Sequence, residues 1–379
     1  MKIAFYTDTY LPNRDGVVTA IMNFRRALEA KGHEVFIFAS GSRKTKKENT
    51  DPHVFFHLAA PFKPYPQYKI ALFPFLSIPK VKQLGIDIVH SHGMATMGLA
   101  ADRAARTLKV PYFGTFHTLI PHATHYVAGN VKPISKATER IAWEYLKWYY
   151  NRCDVSIAPS NVIRSLMEEH GIRNVQVVPN GIDIERFNPK VDSGPIRDWW
   201  NLRKKKVILH MGRLVLEKNL EVVINSALLV LEEEPDAMFL IVGAGPAATY
   251  YKHLADKKGV GNRFIFTGFV EDKWIPNYYA CADAVVVPSK FETQGLVTLE
   301  AMACGKPVAG ADYLATGETI RDGIDGFLFN PDDPEECAEK IVMALNSKRK
   351  LRTNARKTAE MYSIERCTER LLALYEEMV

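Results

Sequence analysis

The chain has 379 residues, of which 47% are hydrophobic and 24% are charged. This composition is typical of a globular protein and excludes a disordered chain, a collagen-like repeat and a long coiled coil. No run of 18 apolar residues occurs, so no membrane-spanning helix is predicted. The first residues, MKIAFYTDTY, lead into a strand pattern, and the five cysteines form no CxxC pair. We therefore expect a cytoplasmic protein with reduced thiols and two or three domains.

The charge is divided unevenly between the two halves of the chain. Residues 1–190 contain 25 basic and 15 acidic residues, whereas residues 191–379 contain 24 and 28. A basic half favours contact with an anionic partner such as phosphate, nucleic acid or an acidic membrane surface. The alternative is a chance imbalance on a solvated surface.

Strand and helix patterns alternate along almost the whole chain. The first half contains the strand segments KIAFYT, EVFIFAS, IDIVHSH, VPYFGTFH, VSIAPS and VQVVPN. After Lys206 the alternation begins again, with the strand segments VILHMG, MFLIVG, RFIFTG, AVVVPS and KPVAG. Helices are predicted between them, over residues 21–31, 97–108, 161–169, 220–232, 247–258, 295–304 and near residue 277. This alternation predicts an α/β protein with parallel sheets and helices on both faces.

The pattern divides the chain into two doubly wound, Rossmann-like domains. We place the first at residues 1–188 and the second at residues 189–361, and the polar segment NPKVDSGPIRDWWNLRKKK at residues 188–206 suits a linker. A final helix, within residues 362–379, is expected to pack back on the first domain. Ligands of such sheets bind outside the carboxyl ends of the strands, so we searched there for glycines and polar side chains.

Two features follow strands of the first domain. Gly16 follows the first strand, where a glycine before a helix lets a ligand approach the backbone. His117 closes the segment VPYFGTFH, and its imidazole could donate to a sugar hydroxyl. A turn glycine and a structural histidine are the alternatives. The nearby histidines at 122 and 125 do not have a spacing that predicts a metal site.

Two further features follow strands of the second domain. Gly212 ends VILHMG, and Arg213 and Lys218 in the loop after it could bind a diphosphate. The segment GAGPAA at residues 243–248 matches the dinucleotide-binding pattern GxGxxA. That pattern also needs an acidic residue about 20 positions later, and the next strand, RFIFTG, ends without one. A nicotinamide oxidoreductase is therefore only an alternative.

The strongest feature is SKFETQGLVTLEAMACGKP, at residues 289–307. A loop with Glu292 leads into a helix near Gly295, whose first backbone amides could bind phosphate or sugar oxygens. Those amides belong to Gln294, Gly295 and Leu296. Glu300 lies one helical turn after Leu296, roughly 5–6 Å along the axis, where its carboxylate could accept two hydrogen bonds from a ribose diol. The alternative is a solvent-facing Glu300.

Together these motifs resemble the retaining glycosyltransferases of family 4, whose GT-B fold has two facing Rossmann-like domains and a cleft between them. The resemblance includes two glutamates separated by seven residues, GRLVLEKN, VPNGIDIERF and DGIDGFLF, and it covers essentially the whole chain. It implies that Arg213 and Lys218 bind the donor diphosphate, that Glu300 binds ribose, and that Glu292 contacts the sugar. It places His117 beside the transferred sugar and Gly16, Gly212 and Val270 among the nucleotide-sugar contacts.

One branch of the family is more similar than the others. The residues FETQGLVTLEAMACGKPV, FHT at 116–118, THYV at 124–127 and GVVTAI resemble diacylglycerol glucosyltransferases. The resemblance implies UDP-glucose as donor, a membrane lipid as acceptor and no nucleic-acid partner. Phe62–Lys82, with its aromatic residues and four lysines, could lie on the cytoplasmic face of a membrane; a buried loop and strand is the alternative.

The predicted reaction transfers a hexose from a nucleotide to a hydroxyl with retention of the α configuration. Charge develops on the leaving diphosphate, which the two cations and the helix start would stabilise. No DxD motif stands in a suitable loop, so no metal cofactor is predicted. No nucleophile is evident, and the resemblance implies a front-face mechanism. A GDP-mannose-dependent mannosyltransferase, a transferase to a soluble polyol acceptor and a non-enzymatic binder of anionic surfaces are the alternatives.

Overall fold

Two compact units make up the part of the chain that the computed structural model describes. The described residues are 1–13, 15–62, 65–119 and 132–379, with the backbone alone at 62, 65–68 and 132–136. The first unit comprises Met1–Gly181 and Ile364–Val379, and the second comprises Ile182–Ser363. The THYV segment and Lys63 lie outside the described residues.

The first unit is built on an eight-stranded sheet with the order β4-β3-β2-β1-β5-β6-β7-β8. Neighbouring strands are parallel except β3 and β4, which are antiparallel. The strands are β1 (Lys2–Thr7), β2 (Glu34–Gly41), β3 (Val54–Phe62), β4 (Tyr65–Ala71), β5 (Ile88–Ser91), β6 (Tyr112–Thr115), β7 (Val155–Ala158) and β8 (Val175–Val177). The helices are α1 (Gly16–Ala30), α2 (Arg43–Glu48), α3 (Ile78–Leu84), α4 (Thr96–Leu108), α5 (Lys132–Tyr150) and α6 (Asn161–Glu169). The carboxyl ends of β1 and β5 meet where the strand order reverses.

The second unit contains a fully parallel six-stranded sheet with the order β11-β10-β9-β12-β13-β14. The strands are β9 (Lys206–Met211), β10 (Ala237–Val242), β11 (Phe264–Gly268), β12 (Ala284–Val287), β13 (Val308–Ala311) and β14 (Phe327–Phe329). The helices are α7 (Gly194–Trp199), α8 (Leu220–Glu233), α9 (Ala248–Lys257), α10 (Ile275–Cys281), α11 (Leu296–Ala303), α12 (Leu314–Thr319), α13 (Pro334–Leu345) and α14 (Arg349–Glu360). Strand order reverses between β9 and β12, which is where doubly wound sheets bind ligands.

Apolar strands explain why both sheets are buried. The side chains of β2 from Val35 to Gly41 are all buried, and so are those of β12. A strand that is apolar on both faces needs helices on both sides of its sheet. The alternation of strands and helices in the sequence therefore gives the α/β fold that was predicted from it.

The last helix, α15 (Ile364–Glu376), belongs to the first unit and packs against α1. Its buried residues include Cys367, Leu371 and Tyr375. The Tyr375 hydroxyl lies 2.5 Å from Nδ1 of His90, which is buried on β5. The end of the chain is thus joined to the centre of the first sheet.

Three local expectations from the sequence need correction. Helix α1 begins at Gly16 rather than at Ile21, because Asp15 caps it by accepting a hydrogen bond from the Val18 amide at 2.9 Å. The segment expected to be only a linker contains α7, whose Ile196 is buried. The edge strand β4 runs antiparallel to β3, so the first sheet is not entirely parallel.

Candidate functional site

An ion pair lies where the strand order of the second sheet reverses. Lys218 ends a short 3₁₀ turn in the loop after β9, and Glu292 lies in the loop after β12. Lys218 Nζ is 2.5 Å from Glu292 Oε1, and both side chains are largely buried. Because β9 and β12 are paired strands, their loops leave the same edge of the sheet side by side. The structure therefore brings these two predicted residues into direct contact.

The ammonium of Lys218 determines the protonation state of Glu292. Burial by itself would raise the pKa of this carboxyl, but the charge and hydrogen bond of Lys218 hold the pKa below its ordinary value. His210, inside β9, contributes little positive charge, because burial lowers its pKa to about 4. The site thus holds an ionised carboxylate beside a lysine whose other donors can meet an anion.

Gly212 and Arg213 form the first part of the same loop after β9. The side chain of Arg213 is exposed, and Lys218 lies five positions later in the chain. Asn219 anchors the far end of the loop, since its amide donates to the carbonyl of Pro288 at 3.3 Å and to that of Pro331 at 2.8 Å. One loop therefore carries both cations, and the hydrogen bonds of Asn219 hold its far end in place.

The glycines of GAGPAA serve backbone packing beside this loop. A Cβ on Gly243, whose φ is +134°, would lie 1.9 Å from the carbonyl oxygen of Gly212, and one on Gly245 would lie 2.2 Å from that of Leu214. The Leu214 amide donates to the Ala244 carbonyl at 3.0 Å. The close approach of two backbone loops thus explains why glycines stand in the GxGxxA segment. A nicotinamide cofactor is not needed to explain them.

The start of α11 forms another wall of the site. Gly295 has a φ of +75°, and no described side chain caps the helix that begins at Leu296. The preceding residue, Gln294, is buried. First-turn amides of such a helix favour an anion or a sugar oxygen. The hydroxyls of Thr298 and Thr316, which lie near Gly295, are buried and have no hydrogen-bond partner among the described residues.

Glu300, on α11, is held by a residue that the sequence reasoning missed. The hydroxyl of Tyr279, on α10, donates to Glu300 Oε2 at 2.7 Å. Burial raises the pKa of Glu300 to about 7, although Tyr279 and the charge of Arg186 act in the opposite direction. The side chain of Glu300 is partly buried and does not lie on a fully solvent-facing side of the helix. Nothing in the local pattern around Tyr279 signals this contact, because 21 residues separate the two side chains.

Val270 lies in the loop after β11, which is an outermost strand of the sheet. Its side chain is partly buried and packs on the apolar cluster that includes Leu299 and Tyr279. The carboxyl end of β11 is two strands away from β9. Val270 is therefore on the same edge of the sheet as Lys218 but is not part of the ion-pair cluster.

Gly16 and His117 belong to the first unit. Gly16 is the exposed first residue of α1, directly after the capping residue Asp15. His117 follows β6, and its Nε2 lies 3.0 Å from Nδ1 of His92, which follows β5. Burial lowers the pKa of His117 to about 4, so its ring is neutral at physiological pH. His92 was not singled out by the sequence reasoning.

Two features are absent from the described part of the chain. No group of three or more His, Cys, Asp and Glu side chains there has an arrangement that could hold a metal ion. No helix there has the length and apolar composition needed to cross a bilayer.

Two family models together match most of the sequence. The model described as Glycosyltransferase Family 4 matches residues 14–186, and the model described as Glycosyl transferases group 1 matches residues 196–361. The chain belongs to glycosyltransferase family 4. The matched segments contain every residue that the sequence analysis assigned to the site of this glycosyltransferase.

Curated relatives of the glycosyltransferase differ in the sugar that their names give. An alpha-monoglucosyldiacylglycerol synthase of Streptococcus pneumoniae is 29% identical over 87% of this chain and 75% of its own length. A protein of the same name from Acholeplasma laidlawii is 28% identical over 90% of this chain and 87% of its own. A GDP-mannose-dependent alpha-mannosyltransferase of Corynebacterium glutamicum is also 28% identical, over 89% and 78%. Identity of this size leaves the donor and the acceptor undetermined.

Solved structures confirm the predicted GT-B fold. Anabaena Alr3699/HepE in complex with UDP aligns over all of both chains, with a TM-score of 0.81 and 20% sequence identity. The sucrose-phosphate synthase of Thermosynechococcus elongatus aligns over 99% of this chain and 98% of its own, with a TM-score of 0.76 and 20% identity. At this identity the likeness describes the fold alone.

Proposed function

We propose that this glycosyltransferase is a retaining hexosyltransferase, which moves glucose from UDP-glucose to a hydroxyl of a membrane lipid such as diacylglycerol. The observation that carries the proposal is the Lys218–Glu292 pair at the point where the strand order of the second sheet reverses. The similarity to two alpha-monoglucosyldiacylglycerol synthases supports the sugar and the acceptor class. The mannosyltransferase relative makes GDP-mannose the alternative donor.

Each group in the proposed donor site has a chemical task. When the bond from the anomeric carbon to the diphosphate breaks, negative charge grows on the leaving oxygens. Lys218, Arg213 and the first amides of α11 would stabilise that charge. The ionised carboxylate of Glu292 would accept hydrogen bonds from sugar hydroxyls, because Lys218 holds its pKa low. In this proposal the metal-free site uses the two cations where other transferases use a divalent ion.

Glu300 is proposed to bind the ribose of the donor. One carboxylate oxygen accepts from Tyr279, and the second oxygen has the capacity to accept from a ribose hydroxyl. The ionised carboxylate can accept hydrogen bonds at both oxygens, whereas the protonated carboxyl carries a proton on one of them and donates there. Because burial raises the pKa of Glu300 to about 7, we expect this contact to depend on pH near neutrality.

The first unit carries the surface that we propose to contact the membrane. Four apolar residues just after β4 are exposed: Leu72 (56%), Phe73 (65%), Phe75 (52%) and Leu76 (71%). They lie inside the region 62–82 that the sequence analysis indicated as a membrane-facing segment. Exposed apolar side chains grouped in this way are typical of an interaction surface.

Basic side chains adjoin this apolar segment. Phe73 and Leu76 line a cavity of about 390 Å³ together with Lys46, from α2, and Lys80, from α3. Helix α2 also presents the exposed residues Arg43, Lys44 and Lys47. Apolar insertion combined with basic residues suits an anionic bilayer, where each basic side chain contributes about 1 kcal/mol. The alternative for this region, a buried loop and strand, applies to β4 and to the buried residues Ala71, Pro74, Ser77 and Val81, but not to the four exposed residues.

The first prediction concerns the two cations of the donor site. Arg213→Ala and Lys218→Ala should each lower kcat/KM for transfer from UDP-glucose by about 10²-fold or more, the typical effect of removing one donor to a developing charge. Lys257→Ala, an exposed lysine on α9, is the matched control and should retain wild-type turnover. Because Lys218→Ala leaves a buried carboxylate unpaired, the double variant Lys218→Ala/Glu292→Gln should fold better than the single one and stay inactive. Near-wild-type activity of either single variant contradicts the donor-site assignment.

The same assay identifies the donor. Wild-type protein is given UDP-glucose or GDP-mannose, each with vesicles that contain diacylglycerol. We expect glucosyl-diacylglycerol with an α linkage, and no mannosyl product. Turnover of GDP-mannose alone would leave the transferase class intact and overturn the choice of sugar.

The second prediction concerns Glu300 and pH. Between pH 6 and pH 8 the fraction of ionised Glu300 in the unbound protein should rise through its pKa of about 7, so affinity for UDP should increase by about tenfold. Glu300→Gln keeps the shape and cannot ionise, so its affinity should lack this increase. Isothermal titration of both proteins at pH 6, 7 and 8 separates Glu300 from titration of the nucleotide, which both share. Equal pH dependence in the two proteins would place Glu300 outside the nucleotide site.

The third prediction concerns the membrane surface. Phe73→Ser/Leu76→Ser should weaken co-sedimentation with vesicles of phosphatidylglycerol and diacylglycerol by about tenfold or more, since each large apolar side chain contributes roughly 1.5–3 kcal/mol on full burial. Lys46→Gln/Lys80→Gln should weaken it at low salt and have little effect at high salt. Leu228→Ser, at an exposed position on α8 of the second unit, is the control. Unchanged binding of the Phe73 and Leu76 variant, or efficient transfer to a soluble sugar with none to diacylglycerol, contradicts this part of the proposal.

A further inference from the structure

Tyr279 and Glu300 are anchored to the same guanidinium group. The side chain of Tyr279 is fully buried on α10, and its ring packs edge-on against the ring of Phe187, with the centroids 5.7 Å apart. The guanidinium of Arg356, on α14, donates to the carbonyl oxygens of Phe187 and Ala303, each at 2.8 Å. Because Ala303 ends the helix that carries Glu300, both ends of the Tyr279–Glu300 hydrogen bond are held in place from outside.

The proton of this hydrogen bond belongs to the phenol. The hydroxyl oxygen of Tyr279 lies 2.7 Å from Glu300 Oε2, which is a typical length for a hydroxyl that donates to a carboxylate. Burial and the negative charge of Glu300 raise the pKa of Tyr279 well above its ordinary value. The phenol is therefore neutral and always has a proton to donate, and Glu300 is its only hydrogen-bond partner among the described residues.

The other oxygen of Glu300 is left open. Within the described part of the chain, Tyr279 is the single hydrogen-bond partner of this carboxyl group. The side chain is only partly buried, so a donor from outside the protein can reach it. Since a carboxylate oxygen accepts through its own lone pairs, Oε1 has the capacity that a ribose hydroxyl needs.

The hydrogen bond from Tyr279 has the largest effect on the ionisation of Glu300 after burial. Burial raises the pKa of Glu300, whereas this hydrogen bond lowers it. The charge of Arg186 also lowers it and that of Asp272 raises it, and these two side chains are themselves an ion pair at 3.1 Å. The charged and ionisable groups that act on Glu300 or on its partner are Tyr279, Arg186, Asp272, Glu292 and Cys304.

We propose that Tyr279 is a positioning residue for the ribose of the donor: its hydroxyl donates to Oε2 of Glu300, favours the ionised carboxylate and leaves Oε1 to accept from the ribose. The inference rests on the proposed function, in which Glu300 binds the ribose. Control of Glu300 by the phenol can be measured without a nucleotide. Removal of the hydroxyl should act through the ionisation of the carboxyl group and not through packing.

The ionisation of Glu300 can be followed directly in the unbound full chain. Carbon-13 labelling of the glutamate carboxyl groups gives NMR signals that shift with pH, and Glu300→Gln identifies the signal of Glu300. We expect a midpoint near pH 7 in the wild-type protein. In Tyr279→Phe the midpoint should be about one pH unit or more higher, because the variant loses a hydrogen bond to the charged form.

Tyr278→Phe is the matched control. Tyr278 precedes Tyr279 on α10 and is also buried, and its hydroxyl accepts from the indole N–H of Trp200 at 3.2 Å. The control therefore removes a buried hydroxyl from the same helix and leaves the partner of Glu300 in place. Its midpoint for Glu300 should equal that of the wild-type protein. An unchanged midpoint in Tyr279→Phe, or an equal shift in both variants, overturns the proposal.

The pH dependence of UDP binding tests the consequence for the ribose. If the midpoint rises by about one unit from pH 7, the ionised fraction falls about fivefold at pH 7 and by only about a tenth at pH 9. By isothermal titration we expect Tyr279→Phe to bind UDP about fivefold more weakly at pH 7 and almost like wild type at pH 9. Inorganic pyrophosphate, which has no ribose, should bind equally to both proteins. A loss that persists at pH 9, or that extends to pyrophosphate, indicates a packing role and overturns the proposal.

Failure of this inference and failure of the proposed function are distinguishable. If the wild-type protein binds no UDP while the midpoint shifts as expected, the proposed function fails and the control of Glu300 by Tyr279 stands. If UDP binds and glucose is transferred, but Tyr279→Phe changes neither the midpoint nor the pH dependence, the assignment of Tyr279 fails alone.

Discussion

The proposed donor site is organised around one largely buried ion pair, in which Lys218 keeps Glu292 ionised at the edge of a parallel sheet. A carboxylate removed from water must be paired or must take up a proton. Here pairing is possible because β9 and β12 are neighbours although 72 residues separate the end of β9 at Met211 from the start of β12 at Ala284 in the chain. The reversal of strand order brings both loops to one edge, and the close backbone approach of Gly243 to Gly212 keeps the first loop in place.

In the first domain the buried histidines, which are removed from water, are neutral. Hydroxyl partners satisfy His90 from β6 and from the last helix of the chain. The contrast follows from the partners, since the ammonium of Lys218 lowers the pKa of a buried acid, whereas hydroxyl groups meet both ring nitrogens of His90. The two domains thus provide different chemistry. One offers fixed charges suited to a diphosphate, and the other offers neutral hydrogen-bonding groups suited to sugar hydroxyls.

Much of the fold could be predicted from the sequence, because apolar strands and the glycines and polar residues after them recur in a regular order. These apolar runs, and the glycines and polar residues after them, predicted where β1, β9 and β12 end. The partners of the site residues could not be predicted in this way. Tyr279 meets Glu300 only through the packing of α10 against its neighbours, and His92 meets His117 only because β5 and β6 pair. The strand β3 was also missed, and β4 was covered only by the alternative of a buried loop and strand, since a segment with several prolines gives no clear period.

We propose that the nucleotide sugar binds at the edge of the second sheet between β9 and β12. The most direct measurement is hydrogen–deuterium exchange of the full chain with and without UDP, because a bound diphosphate should slow exchange of the amides that it contacts. We expect protection concentrated in residues 212–218 and 292–300, with little change in residues 343–354, where Asn346 meets Lys206 at the opposite end of β9. Protection confined to other segments, with none in these two loops, would contradict the account.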